Sequence, residues 1–113
     1  MTPASDPAEA RPDLLLFFSD QHHGLCSGYA GHTEVLTPNL DRLAAEGTAC
    51  STTYTSCPLC VPARAGLLTG QLPSNNRVYN NSHIIASDQA TFLHALTAAG
   101  YETVLCGRMH FKG

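Results

Sequence analysis

Five consecutive apolar residues, Leu14-Leu15-Leu16-Phe17-Phe18, run directly into the polar cluster Ser19-Asp20-Gln21-His22-His23-Gly24. A run this short and wholly apolar, with no alternation, is the pattern of a strand covered on both faces, as strands are in parallel sheets. It is far below the roughly 20 residues needed to cross a bilayer. Open α/β sheets hold their ligands just beyond the carboxyl ends of their strands, so Asp20 is a candidate site residue by position. It could also simply cap a turn.

The rest of the chain alternates helix and strand signals. Thr37-Pro38, followed by Asn39-Leu40-Asp41-Arg42-Leu43-Ala44-Ala45-Glu46-Gly47, offers a capping Thr, Pro at the first helical position, apolar residues at 40, 43 and 44, and a terminal Gly. The Thr-rich stretch from Gly47 to Tyr54 suits a second strand. Pro62 to Thr69 suits a short helix ended by Gly70, with Cys60 at its amino end. Residues 71–88, rich in Asn and Ser, read as a loop, and a loop of that length in a small domain is usually functional. Ser87-Asp88 is expected to open a further helix with Phe92, Leu93 and Leu96 on one face and Gly100 closing it. Tyr101 to Cys106 follows as a third strand. The order implies an α/β fold with a mainly parallel sheet flanked by helices.

Composition narrows the function. Nine acidic against six basic side chains give a net charge of −3 over 113 residues, with no clustered Lys or Arg, which argues against a nucleic-acid partner. Residues 1–12, with Pro3, Pro7 and Pro12, read as a flexible lead-in, leaving 13–113 as the folded part. The lead-in has no basic start followed by an apolar stretch, so it does not read as a secretory signal. No membrane association and a cytoplasmic setting are expected. The odd count of five cysteines, Cys26, Cys50, Cys57, Cys60 and Cys106, argues for reduced thiols rather than a disulfide framework. Cys57-Pro58-Leu59-Cys60 by itself fits a redox dithiol, half of a zinc site, or two inert thiols.

A longer pattern overlaps that pair. Cys60-Val61-Pro62-Ala63-Arg64 leading into Leu68-Thr69-Gly70 resembles the signature of the sulfatase family, and three further segments match in order. Phe17-Phe18-Ser19-Asp20-Gln21 is similar to the family's metal-binding first strand end, and Thr37 to Ala44 to its first helix. Gly100-Tyr101-Glu102-Thr103 with Gly107-Arg108-Met109-His110 resembles its Gly-Tyr-x-Thr and Gly-Lys-x-His segments. Gln71-Leu72-Pro73-Ser74 and Met109-His110-Phe111 are most similar to the branch of choline sulfatases and phosphonate monoester hydrolases.

The resemblance implies an alkaline-phosphatase-like fold and hydrolysis of a small-molecule sulfate ester, with a phosphonate or phosphate ester as the alternative. It implies that Cys60 is oxidised by a formylglycine-generating enzyme to an aldehyde whose hydrate attacks sulfur. The sulfated adduct would then collapse to release sulfate. Asp20 and residue 60 would bind a divalent cation, Ca²⁺ before Mn²⁺ or Mg²⁺, which lowers the pKa of the attacking oxygen. Arg64 and the helix amino end would stabilise the charge, Asn81 would contact the sulfuryl or metal-bound oxygens, and Arg108 and His110 would act as charge stabiliser and hydrogen-bond partner.

Departures from the pattern are Ser19 where many members carry a second Asp, and Arg108 where Lys is usual. The first costs a possible metal ligand; the second exchanges a compact ammonium for a forked guanidinium. Asn80-Asn81 is also an ordinary turn dipeptide, and Arg64, Arg108 and His110 each have a purely structural reading. Adjacent His22 and His23 diverge too widely to chelate from a strand and read as loop or substrate-mouth residues. Because the family's remaining metal ligands come from later segments, the expectation is a truncated chain that binds metal weakly and turns over nothing alone. The rivals are a Cys57/Cys60 thiol or metal-binding module, or a non-catalytic fragment.

Overall fold

The computed structural model describes residues 11–110. Its regular elements are a 3-10 turn at Gly28–Ala30 and the helices α1 (Pro38–Glu46), α2 (Cys60–Thr69), α3 (Pro73–Asn76) and α4 (Phe92–Ala98). The chain divides into two compact units, one running up to Asp41 and one starting at Arg42, with the division inside α1. Apart from Arg11 and Pro12, the expected lead-in lies outside the described residues. None of the helices among the described residues is long and apolar enough to cross a membrane.

Among the described residues no β-strand forms, so the expected parallel sheet is not confirmed there. The two apolar runs assigned to its interior are largely solvent-exposed: Leu15 is 93 % exposed, Phe17 84 % and Val104 81 %. The physical reason is that apolar pattern specifies which residues a strand would bury, whereas a strand exists only when neighbours complete its hydrogen-bond ladder.

The helices follow their local signals more closely. In the first unit Thr37 begins α1 through its carbonyl, which accepts the Asp41 N–H at 2.8 Å. Its hydroxyl takes on a further task, accepting the Gly28 N–H at 2.8 Å and donating to Asp41 Oδ1 at 2.8 Å. Asp41 Oδ1 also accepts the Tyr29 N–H at 2.8 Å, so the start of α1 holds the 28–29 backbone. Asp41 packs against the bare Cα of Gly28; a Cβ there would come within 2.9 Å of Asp41 Cγ.

In the second unit α2 packs against α3 and α4. Val61 and Ala65, one turn apart on α2, bury fully against Val78, with Ile85 packed alongside. Gly70 ends α2 in the left-handed conformation (φ 66°), its N–H donating to the Gly66 carbonyl at 2.9 Å. The 71–88 segment is ordered largely by its own amides. Asn76 Nδ2 donates to the Gln71 carbonyl at 3.1 Å while Asn76 Oδ1 accepts the Val78 N–H at 3.0 Å, which delivers Val78 to the core. The fourth helix starts later than Ser87-Asp88 suggests. Those residues make a turn closed by Gln89 N–H to the Ala86 carbonyl at 3.0 Å, since Ser and Asp favour turns and caps alike. The cap is Thr91, whose N–H donates to His94 Nδ1 at 3.1 Å. Gly100 (φ 88°) closes α4 with paired bonds, Gly100 N–H to the Thr97 carbonyl and Tyr101 N–H to the Leu96 carbonyl.

Ser56 lies directly over Gly66, so that a Cβ on Gly66 would meet Ser56 Oγ and stand 3.2 Å from its Cβ. Gly to Ala in a helix gains about 1 kcal/mol of propensity, whereas overpacking costs about 1–3 kcal/mol. The close approach should win. Gly66→Ala is expected to lower stability by about 1 kcal/mol in urea unfolding, and to raise it in a Ser56→Gly background, where nothing opposes the new methyl. An unchanged sign in that background would remove the steric explanation.

Candidate active site

The best-defined cluster of candidate residues is assembled at the amino end of α2. Cys60 is the first residue of that helix, half-buried, and follows Leu59 at the cap in extended conformation (φ −125°, ψ 146°). Leucine has no side-chain acceptor, so α2 lacks a cap of its own. Pro62, the third helical residue, has no N–H to satisfy, and the first bond within the helix is Ala63 N–H to the Leu59 carbonyl at 2.9 Å. The Val61 N–H is taken by Asn81, whose Oδ1 accepts it at 3.0 Å from twenty residues further on.

Arg64, one turn beyond Cys60, is buried to 6 % exposure. A buried guanidinium needs acceptors, and one of them is the Arg108 carbonyl, 3.3 Å from Nη1. This bond ties the 107–110 segment to α2. Gly107 (φ 112°) and His110 (φ 59°) are both left-handed, a turn geometry that glycine tolerates and histidine adopts only under local constraint. The Arg108 side chain is exposed, and His110 is half-buried. Four of the sequence candidates, Cys60, Arg64, Asn81 and Arg108, are therefore linked through α2, the last by its backbone rather than its side chain.

Asp20 lies in the first unit, exposed, just before Gln21 with its left-handed backbone (φ 54°). Beyond it, His22 Nε2 lies 2.9 Å from the Cys26 carbonyl and His23 Nδ1 accepts the Leu25 N–H at 3.2 Å, so both imidazoles serve their own loop. Among the described residues no three His, Cys, Asp or Glu side chains gather as a metal site. A hard divalent cation such as Ca²⁺ takes six to eight oxygen ligands, and Asp20 with a thiol at 60 falls well short of that set. These residues alone do not fit a complete metal centre.

All five cysteines are thiols, including Cys57 and Cys60. Thr55 holds Cys57 in place, its hydroxyl donating to the Cys57 carbonyl at 2.7 Å and accepting the Cys57 N–H at 3.3 Å. Sequence reasoning missed two contributors, the Val61 amide and Ser56. The signal for the first was present: a helix with Leu at its cap position must find an acceptor elsewhere.

Comparison with known proteins identifies the family. The sulfatase family model matches residues 12–112. The choline-sulfatase of Rhizobium meliloti (strain 1021) is 42 % identical over 103 residues, covering 91 % of this chain and 20 % of the relative. Arylsulfatase A of Homo sapiens is 37 % identical over 115 residues, covering 95 % of this chain and 22 % of the relative. An ulvan-active sulfatase of Formosa agariphila is 34 % identical over 103 residues, covering 91 % and 20 %. The chain thus spans about one-fifth of the length of the curated relatives it matches. A family match over residues 12–112, a span that includes α1, α2 and α4, leaves one conclusion: this chain belongs to the sulfatase family.

Proposed function

We propose that a polypeptide carrying this segment hydrolyses a small-molecule sulfate ester, with residue 60, matured from cysteine to formylglycine, as its nucleophile. Sulfatases are hydrolases of sulfate esters and generally employ a divalent metal and a formylglycine. The observation that carries the reading is Cys60 at the first position of α2 with the buried Arg64 one turn behind it. A sulfate ester resists attack because its oxygens are anionic, so a site must first neutralise them. The amino end of a helix attracts anions through its outward N–H groups and dipole. Arg64 adds a permanent positive charge in a desolvated position, where it acts more strongly than in water.

Arg64 also holds the backbone at Arg108, which keeps the turn bearing Arg108 and His110 against α2. In this reading Arg108 supplies further positive charge and His110 a hydrogen bond to the attacking group. Oxidation by a formylglycine-generating enzyme would supply a carbonyl at residue 60, and a divalent cation, Ca²⁺ in our reading, would take Asp20 as one of its ligands. The relatives' names, choline-sulfatase, arylsulfatase A and ulvan-active sulfatase, support sulfate over phosphonate as the group hydrolysed.

The test is mass spectrometry of the tryptic peptide ending at Arg64, from protein produced together with a formylglycine-generating enzyme. Turnover of choline sulfate, an aryl sulfate and an aryl phosphonate would be assayed in parallel. The expected result is an aldehyde at residue 60 that reacts with hydrazide probes, and hydrolysis of a sulfate ester in preference to the phosphonate. A preparation that hydrolyses sulfate esters while its residue 60 is alkylated quantitatively by iodoacetamide would overturn the nucleophile assignment. Preferential turnover of the phosphonate would overturn the substrate class.

A further inference from the structure

Asn81, to which the resemblance gives a contact with the sulfuryl or metal-bound oxygens, has a second task at this site that neither that resemblance nor the signature around Cys60 assigns. Its Oδ1 is the acceptor for the Val61 N–H at 3.0 Å, in a partly buried setting and across twenty residues. Val61 itself is buried to 1 % exposure, so this amide has little recourse to water if Asn81 is removed. The cap residue Leu59 has no side-chain acceptor to offer, and Pro62 has no N–H. One side chain from the 77–88 loop thus takes the Val61 N–H in the first turn of α2, the turn that carries residue 60.

The choice of amide carries further information. At the amino end of a helix a carboxylate is as good a cap as an amide, and its charge is additionally favoured by the dipole. An aspartate at 81 would keep the hydrogen bond and add a negative charge beside the helix end. Such a charge is harmless where the helix end only needs capping. It is damaging where the same end must draw in an anion. Asparagine gives the acceptor without the charge.

We infer that Asn81 is a positioning residue, the neutral distal cap of α2, which orders the first helical turn under residue 60 while leaving that turn's positive potential available to an anionic substrate. The part concerning substrate rests on the sulfatase reading; the part concerning the cap does not. Asn81 acts on residue 60 through the Val61 amide.

The experiment compares Asn81→Ala and Asn81→Asp in the full-length matured enzyme. It follows hydrogen exchange of the backbone around Val61 together with kcat and KM for an aryl sulfate. Asn81→Ala is expected to raise exchange at Val61 roughly ten-fold and to lower kcat, because the turn bearing the nucleophile frays. Asn81→Asp is expected to keep exchange at the wild-type level while raising KM about ten-fold or more through charge repulsion. A protected Val61 amide in Asn81→Ala, or equal loss of protection in both variants, would overturn the cap. An unchanged KM in Asn81→Asp, in an enzyme that hydrolyses sulfate esters, would overturn the argument for neutrality. The exchange measurement needs no activity, so failure of the sulfatase reading and failure of the cap are read separately.

Discussion

Replacing Cys60 by alanine is expected to abolish sulfate-ester hydrolysis, lowering kcat/KM by about 10⁴-fold or more, because no other group can take over from a missing nucleophile. The fold should tolerate the change. Alanine is the best helix former, and the side chain it replaces is small and only half-buried at the first position of α2. Thermal unfolding should therefore shift by no more than about 1 kcal/mol in equivalent stability. The control is Cys57→Ser. Its backbone is held by Thr55 from both sides, so turnover should stay within about two-fold of the parent. The thiol-module reading makes the opposite forecast, equal losses for Cys57 and Cys60, since a dithiol or a zinc half-site needs both sulfurs. Equal sensitivity of the two positions would therefore reject the formylglycine mechanism.

Arg64→Ala is expected to damage both function and stability. Removing a preorganised, desolvated positive charge from an anion site costs roughly 10²–10³-fold in turnover. The guanidinium is also a structural donor, and its loss removes the hydrogen bond to the Arg108 carbonyl, at about 1 kcal/mol for a bond of this kind. Arg64→Lys separates the two contributions. Lysine restores the charge but not the planar fork, so it should recover part of the turnover while leaving the 107–110 segment loosely held. Steady-state kinetics and urea unfolding of both variants check this, with exposed Arg42→Ala on α1 as the neutral comparison. Near-parental kcat/KM in Arg64→Ala would show that the charge at this helix does not face the reacting ester.

The two largest effects fall on residues that the signature already singled out, and the reason lies in how local the signature is. Cys60, Pro62 and Arg64 sit within two helical turns, so their relative arrangement follows from helix geometry once α2 forms. The same holds for α1, where Thr37, Pro38 and Gly47 delimit a helix that the structure runs from Pro38 to Glu46. The start of α4 was less legible, because Ser87-Asp88 and Thr91 carry similar capping chemistry and only the turn closed at Gln89 decides between them. The sheet is not confirmed among the described residues. Leu14 to Phe18 and Tyr101 to Cys106 have the composition of buried strands, yet pairing is a property of two segments, and these residues lie exposed.

Order along the chain, the ends of α1 and α2, and membership of the sulfatase family were determined by sequence alone, because capping, proline and glycine act over a few bonds and a signature is a matter of spacing. Tertiary structure alone decided that Arg64 is buried with a carbonyl from residue 108, that Ser56 lies over Gly66, and that Asn81 caps a helix twenty residues before it. Each of these joins groups distant in the chain through a hydrogen bond or a close contact. Such contacts depend on where the backbone returns in space, which no local pattern encodes.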